Sequence, residues 1–274
     1  MSITINPKTS ILLVTYNQEK FIRQALDSVL MQQMDFPIEV VIADDYSQDS
    51  TLAIAREYQA SAHNVRLLPS KEKIGITRNF QRGFAACQGK YVAVLEGDDY
   101  WISPNKVKTV STFLDQHQEC SFCFHRLIRY DEISDCATVH PMIAATSDFT
   151  VFSASDLARG NFVGGFSTCT YRREVIDSLD PGLWKLKVRE WPFNIVVATH
   201  GLVGYIPEVL SIYRIHRAGI FSQKTVDEQI LILLELIESY NKYLDFKFDA
   251  EFREFKQVLS SAGTGSSPAE HPEL

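Results

Sequence analysis

The chain has 274 residues, 45% of them hydrophobic, which is enough to bury the core of one large domain or two small ones. A formal net charge of -7 and the lack of any basic tract argue against a partner held through nucleic-acid phosphates. The five cysteines are odd in number and widely spread, which is not typical of a disulfide framework. The sequence starts without a signal-peptide pattern, and no apolar run approaches the ~20 residues of a membrane helix. We therefore expect a cytoplasmic protein, with the inner face of the membrane as an alternative location.

The first hundred residues alternate between short apolar runs and helical patterns. Strands are predicted at 10–15, 39–43, 65–68 and 91–95. Between them, helices are predicted after Asn17, from about Asp49 to Gln59, and from about Asn79 to Cys87, with Asn17 as an N-cap and Gly89 as a C-cap glycine. This alternation predicts an α/β fold with a mostly parallel central sheet flanked by helices.

Three carboxylates follow the fourth predicted strand, where the sequence reads Tyr91-Val-Ala-Val-Leu-Glu-Gly-Asp-Asp-Tyr-Trp101. Glu96, Asp98 and Asp99 would repel one another at the tip of a buried strand unless a cation or hydrogen-bond donors balanced them. Carboxylate oxygens suit Mg²⁺ or Mn²⁺. The pattern therefore predicts a divalent-metal site, with a solvated acidic turn or a pair of helix caps as the alternative.

Polar residues also follow the first two strands. Thr15, Tyr16 and Asn17 end the first, and Asp44 and Asp45 end the second. Ligands of parallel α/β sheets bind at the carboxyl ends of strands, so these residues are expected to face the same crevice as the acids.

The second half of the chain is less regular. A helix is predicted from about Asn105 to His117, then a strand over 121–130 that contains part of a C-x-x-C pair, Cys120 and Cys123. A zinc site usually needs a second such pair, so alternating strand positions are favoured over a metal or redox role. Trp191-Pro192 indicates the start of another helix.

A long amphipathic helix is predicted from Val226 to about Leu244. Its polar face is acidic, so we expect it to pack on the core or on a partner subunit, which leaves a homodimer through this helix open. Residues from 261 onwards are small and polar and are predicted to form a disordered tail.

Five motifs in this order resemble the family 2 glycosyltransferases, bacterial enzymes with the nucleotide-diphospho-sugar transferase fold called GT-A. The resemblance spans roughly residues 10 to 220. The motifs are Val14-Thr-Tyr-Asn-Gln-Glu-Lys-Phe21, Val41-Ile-Ala-Asp-Asp-Tyr-Ser-Gln-Asp-Ser-Thr51, Gly75-Ile-Thr-Arg-Asn79, Leu95-Glu-Gly-Asp-Asp-Tyr-Trp101 and Tyr205-Ile-Pro-Glu-Val-Leu-Ser-Ile-Tyr-Arg-Ile-His216.

The resemblance implies one GT-A domain over 1–220, with a Rossmann-like nucleotide-sugar-binding half (about 1–104) and an acceptor half (about 105–220). A C-terminal helical segment (221–260) and the tail (261–274) would follow. It also implies a donor-binding set, which comprises Thr15, Tyr16, Asn17, Glu19, Asp44, Asp45, Arg78, Glu96 and Asp98. In that set Asp45 would receive the base or ribose, and Arg78 would approach the diphosphate. Asp44 or Asp45 could instead cap the following helix, and Arg78 could be an ordinary surface residue.

The same resemblance implies an Mn²⁺ or Mg²⁺ cofactor bound by Asp98, Asp99 and His216. Relatives carry an aspartate as catalytic base just before the helix that starts with Trp-Pro, and here Glu190 stands in that position. Each has a simpler alternative: His216 as an ordinary core or surface histidine, and Glu190 as a favourable charge at a helix N-terminus.

The expected activity is inverting, metal-dependent transfer from a nucleoside-diphosphate sugar to a hydroxyl group of a saccharide or lipid-linked saccharide, in bacterial polysaccharide or glycolipid synthesis. A peripheral association with the membrane stays open. Two alternatives are a catalytically silent nucleotide-sugar-binding module and a nucleotidyltransferase. The second is disfavoured because residues 15–19 lack the glycine-rich, basic phosphate loop.

Overall fold

A computed structural model of the chain describes residues 6–144, 147–219, 221 and 223–262. Within these residues, ten strands form one sheet. In chain order they are β1 (Thr9–Thr15), β2 (Ile38–Asp44), β3 (Val65–Pro69), β4 (Tyr91–Glu96), β5 (Tyr100–Trp101), β6 (Cys120–Asp131), β7 (Cys136–His140), β8 (Thr150–Phe152), β9 (Thr170–Arg172) and β10 (Leu202–Ile215). The helices are α1 (Ile22–Leu30), α2 (Thr51–Ser61), α3 (Ile76–Ala86), α4 (Lys106–Gln116), α5 (Ala154–Arg159), α6 (Arg173–Ser178), α7 (Glu190–Ala198), α8 (Val226–Tyr243) and α9 (Asp249–Ala262).

The strand order of the sheet is β3-β2-β1-β4-β9-β6-β10-β5, with β7 beside β6 and β8 beside β10. The first four strands are parallel to one another, as predicted. The short β9 is antiparallel to both β4 and β6 and joins the two halves. In the second half β6 and β10 are parallel, whereas β5, β7 and β8 pair antiparallel. The predicted α/β fold with a flanked central sheet is confirmed.

Strand β1 shows why the sheet is covered on both faces, since all seven of its residues are buried. Its side chains alternate between two core clusters. Ile11 and Leu13 pack in the cluster that includes α1 and α2, whereas Leu12 and Val14 pack with Phe80 and Phe84 of α3. The apolar run in the sequence therefore reflects burial on both faces.

Two details differ from the sequence prediction. Asn17 is not the N-cap of α1, because Phe21 holds that position, and the Asn17 Oδ1 accepts instead from the Gln48 backbone N–H, at 2.8 Å. Gly89 is not a C-cap glycine either, because α3 ends at the Cys87 cap. A Cβ at Gly89 would lie 2.4 Å from the Ser10 backbone nitrogen, so this glycine allows the close approach of the chain to β1.

The C-terminal helices pack against α5, α7 and each other. α8 begins at a capping box formed by Thr225 and Glu228, and α9 packs its rings against Trp191 of α7. The face that α8 buries carries Ile230, Leu233, Leu236, Ile237 and Tyr240. α9 extends two residues into the predicted tail, and the rest of that tail, 263–274, lies outside the described residues. In the described part of the chain, no helix has the length and apolar character needed to cross a membrane.

The C-x-x-C pair belongs to the core. Cys120 and Cys123 are buried free thiols on β6, and burial raises the pKa of both. Nearby His125 is buried too, and burial lowers its pKa to about 3. Among the described residues, no group of three or more His, Cys, Asp or Glu side chains is arranged to hold a metal ion.

Candidate active site

The predicted donor-site residues gather at the carboxyl ends of β1, β2 and β4. Thr15 pairs with Asp44 across β1 and β2, and Val14, one residue earlier, pairs with Glu96 of β4. This edge follows from parallel pairing, which brings the ends of neighbouring strands together.

Asp45 is buried and holds the loop before α3. Its Oδ1 accepts from the Ile74 N–H at 2.8 Å, and its Oδ2 accepts from the Gly75 N–H at 3.0 Å. Gly75 has a φ of +85°, a conformation that favours glycine, and it is the N-cap of α3. The carboxylate thus sets the shape of the loop that borders the crevice.

Asp44 is also buried and organises a turn. It accepts from both the backbone N–H and the hydroxyl of Ser47, at 3.1 and 2.5 Å. These contacts stabilise a turn and do not cap a helix, because Ser50 is the N-cap residue of α2. The Asp44 carboxylate therefore accepts hydrogen bonds from the protein itself.

The arginine nearest these acids is Arg82, which the sequence analysis missed. Its guanidinium donates to the Asp44 main-chain oxygen at 2.5 Å and to the Asn79 side chain at 2.6 Å. Arg78 lies exposed on the first turns of α3. The two arginines are one helical turn apart, so position in the sequence alone could not separate their roles.

Tyr16 is half-buried, and the Lys73 ammonium lies 3.9 Å from the centre of its ring. Asn17 and Glu19 instead tie the β1–α1 loop to the next one. Glu19 Oε2 accepts from the Ser50 N–H at 2.9 Å, in addition to the Asn17 contact with Gln48. Both residues therefore border the crevice as parts of its frame.

Asp99 lies at the base of the acidic cluster and is fully buried. Its Oδ2 accepts from the Ser167 hydroxyl at 2.5 Å, and its Oδ1 accepts from the Arg214 backbone N–H at 3.0 Å. Burial and the neighbouring Asp98 raise the pKa of Asp99 above the usual range of an aspartate.

Asp98 is more exposed and faces a histidine. Its Oδ2 lies 3.2 Å from Nε2 of His216, which is itself buried against the ring of Phe21. Arg214 supports this pair, because its guanidinium donates to the main-chain oxygen of Asp98 and to the side chain of Gln24. Arg214 belongs to the Tyr-Arg-Ile-His motif, but the sequence offered no signal for this contact.

The donor set of the acidic cluster suits a divalent ion in part. Asp98 and His216 present one carboxylate oxygen and one imidazole nitrogen on the same side of the crevice. Both oxygens of Asp99 already accept hydrogen bonds within the protein. Two protein ligands leave several positions for phosphate oxygens and water, the usual way Mg²⁺ is held with nucleotides.

Glu190 is the first residue of α7 and lines a cleft of about 170 Å³. The residues that line it are Ile76, Glu96, Arg129, His140, Asn161, Gly164, Gly165, Phe166, Val188, Arg189, Glu190, Trp191, Pro192, Tyr213, Phe221, Ile232, Leu233 and Leu236. Burial raises the pKa of Glu190 to about 8, and a hydrogen bond from Asn194, 2.6 Å long, acts against that rise.

Glu96 connects the two parts of the site. It lines the cleft with Glu190, and its pKa is raised well above normal by burial and then by the charges of Asp99, Asp98 and Glu190. A carboxylate that interacts with both groups of acids indicates that they share one electrostatic environment. The arrangement can hold a cationic group at one end and accept a proton at the other.

A mixed sheet of this order, with acids at the carboxyl ends of its parallel strands, defines a GT-A glycosyltransferase fold. Among solved structures, residues 1–349 of Staphylococcus aureus TarS in complex with UDP-GlcNAc align with a TM-score of 0.66 at 18% identity, over 90% of this chain and 71% of that one. The mannosyltransferase PcManGT from Pyrobaculum calidifontis, in complex with GDP-Man and Mn²⁺, aligns with a TM-score of 0.62 at 14% identity, over 97% of this chain and 78% of that one.

The family model "Glycosyl transferase family 2" matches residues 10–180 of this chain, which therefore belongs to that family. An uncharacterized protein of Mycobacterium tuberculosis is 34% identical over 80% of this chain. The chain spans 62% of the length of that relative. An uncharacterized glycosyltransferase of Nostoc is 28% identical over 87% of this chain and 74% of its own length.

Proposed function

We propose that the protein is an inverting glycosyltransferase that moves a sugar from a nucleoside diphosphate to a hydroxyl group, with Glu190 as the base. The observation that carries this proposal is the half-buried carboxylate of Glu190 in a cleft that also reaches Glu96, next to the Asp98–His216 pair. The chemistry needs charge stabilisation on one side of the sugar and a proton acceptor on the other.

In this mechanism the acceptor oxygen forms a bond to the anomeric carbon while the bond from that carbon to the diphosphate oxygen breaks. Glu190 takes the hydroxyl proton, and the electron pair of the broken bond leaves on the diphosphate. A single displacement of this kind inverts the anomeric configuration. Trp191 and Val188 line the cleft beside the carboxylate and limit the access of water to it.

Asp98 and His216 would hold a divalent ion, Mn²⁺ or Mg²⁺, which supplies positive charge to the departing diphosphate when bound. Asp99, which is buried beside Asp98, would support these two ligands. Its own role as a third metal ligand stays a prediction. Tyr16, Thr15 and the loop that Asp45 holds would border the nucleotide. Solved relatives of the same fold carry UDP-GlcNAc, or GDP-Man and Mn²⁺, which supports a nucleotide-sugar donor here. The proposed acceptor is a saccharide or lipid-linked saccharide of bacterial polysaccharide or glycolipid synthesis.

The test starts from a thermal-shift screen of UDP-, GDP- and dTDP-sugars with and without Mn²⁺, because a ligand of the folded state raises its stability. Hydrolysis of the selected donor is then followed by NMR before the freed sugar mutarotates. We expect inversion, and we expect Glu190→Gln to keep donor binding while turnover falls about 10²–10⁴-fold. Glu174→Gln, on the exposed start of α6, is the matched control. Retention of configuration, or normal turnover in Glu190→Gln, would contradict the proposal.

A further inference from the structure

Asn194 is a buried polar residue that the proposed mechanism leaves unused. It follows Glu190 by one turn of α7, and its side chain is fully buried. Its Nδ2 donates to Glu190 Oε1 at 2.6 Å, and its Oδ1 accepts from the Tyr171 hydroxyl, also at 2.6 Å. A carboxylate only accepts hydrogen bonds, so the amide nitrogen must face Glu190, and the amide oxygen is left for Tyr171.

Tyr171 gives this amide a fixed support. It is a residue of β9, the strand that joins the two halves of the sheet, and its ring is fully buried among Phe84, Phe122 and Phe193. The hydroxyl therefore cannot move away from Asn194 without moving the ring in the core.

We propose that Asn194, held by Tyr171, is the positioning residue that aims the Glu190 carboxylate into the cleft. The proposal rests on the proposed role of Glu190 as proton acceptor. A glutamate at the first position of a helix has several rotamers that point to solvent or back to the helix terminus, and one buried hydrogen bond selects among them. A Glu190 carboxylate that is held in one position keeps the geometry needed for proton transfer, whereas a displaced carboxylate would lower the rate.

The other charged or titratable groups around Glu190 do not replace this contact. Glu96 approaches it from β4, Arg189 precedes it in the chain, and Cys169 and Tyr171 face it from the β9 side. The same cleft is also lined by Arg129, His140 and Tyr213. Within the described part of the chain, the hydrogen bond that the Glu190 side chain accepts comes from Asn194. A charge-assisted bond of this kind favours the ionised carboxylate and opposes the effect of burial.

The experiment measures the ionisation of Glu190 directly, without a substrate. Glutamate labelled with ¹³C at the carboxyl carbon is followed by NMR as a function of pH, and the Glu190 signal is assigned by its loss in Glu190→Gln. In Asn194→Leu we expect the midpoint to rise by about one pH unit or more, the size of a lost hydrogen bond to a charged group. Tyr171→Phe should shift it in the same direction by less. The acid limb of the pH–rate profile for donor hydrolysis should shift by the same amount as the Glu190 midpoint.

The matched control is Tyr91→Phe, which removes the hydroxyl of another buried tyrosine. Tyr91 lies on the neighbouring strand β4, one residue before Val92, which pairs with Tyr171. The Tyr91 hydroxyl donates to Asp115, near the other end of β4, so the Glu190 midpoint should not change. An unchanged midpoint in a folded Asn194→Leu protein would overturn the proposal. If neither Asn194→Leu nor Asn194→Ala folds, an unchanged midpoint and turnover in Tyr171→Phe would overturn it.

The two proposals fail in different ways. If Glu190→Gln turns over normally, Glu190 is not the base, whatever the NMR titration shows. If Glu190→Gln is inactive but the Glu190 midpoint and the acid limb stay in place without Asn194, only the positioning role is lost.

Discussion

The Oδ2 of Asp98 lies 3.2 Å from the Nε2 of His216, although 118 residues separate the two in the chain. The contact arises because β10, which ends just before His216, pairs with β5, which begins just after Asp99. The pair is the part of the acidic cluster that faces the crevice, and it is the basis of the first prediction.

Replacement of either member of this pair should remove the metal dependence of nucleotide binding. We expect Asp98→Asn and His216→Gln each to weaken Mn²⁺-dependent binding of the nucleoside diphosphate about tenfold or more, because each loses one direct contact to a charged group. Calorimetry with UDP, GDP and dTDP, with and without Mn²⁺, measures this. Asp35→Asn is the control, because Asp35 is exposed and its side chain forms an ion pair with Lys108 at 3.5 Å.

Asp99→Asn should behave differently from Asp98→Asn. An amide at Asp99 would place an N–H group toward either the Ser167 hydroxyl or the Arg214 N–H, both of which are donors here. We therefore expect Asp99→Asn to lower the melting temperature as well as nucleotide binding, whereas Asp98→Asn should leave the melting temperature near that of the wild type. Equal melting temperatures for the two variants would contradict the supporting role of Asp99.

The rate of transfer should rise with pH through about 8. Burial raises the pKa of Glu190 to about 8, and only the ionised carboxylate can accept a proton, so activity should fall about tenfold for each pH unit below that value. Stability should move in the opposite direction. Because the pKa is higher in the folded protein than in the unfolded chain, Glu190 adds stability below about pH 4.5 that is lost as pH rises through 8. Melting curves should therefore show Glu190→Gln to be more stable than the wild type at pH 9 and similar to it at pH 4.

Asp45 should control the loop before α3 and, through it, the affinity for the donor. In Asp45→Ala the Ile74 and Gly75 N–H groups lose their acceptor, so hydrogen exchange at these two amides should accelerate. We expect about a tenfold or greater loss of nucleotide affinity, on a hydrogen-bond value of ~1–3 kcal/mol. Ser70→Ala, which removes a hydroxyl bonded within the same loop, is the matched control. Faster exchange with unchanged affinity would separate the loop from donor binding.

Gly89→Ala should destabilise the fold, whereas Gly160→Ala should not. The added Cβ at Gly89 would meet the backbone of β1, 2.4 Å from the Ser10 nitrogen, and a central strand cannot move aside. We expect a loss of about 1–3 kcal/mol or more in the free energy of unfolding, the range for overpacked sites. At Gly160 no atom lies within 4 Å of the added Cβ, and the backbone is extended, so urea unfolding should differ little from the wild type. A similar loss of unfolding free energy at both positions would show that the loss of glycine itself, and not the close approach to β1, destabilises the protein.

The sequence by itself determined the alternating strands and helices of the first half, the polar residues at the end of the first strand and the acids at the ends of the second and fourth strands. These features are local: an apolar run such as that of β1 reports burial on both faces, and an acid after such a run must lie at the carboxyl edge of the sheet. The helix at Trp191-Pro192 was predicted for the same reason, since proline is favoured in a first turn.

Only the tertiary structure decided which of these side chains meet, because their contacts depend on the order of strands that are distant in the chain. Insertion of β9 between β4 and β6 brings Tyr171 to Asn194, and the pairing of β10 with β5 brings His216 to Asp98. Arg82 and Arg78 are one turn apart on α3, and only packing against the ends of β2 and β3 places Arg82 on the main-chain oxygens of Asp44 and Pro69. A periodic pattern identifies the face that an element buries, but the partner on that face is set by how the whole sheet is assembled.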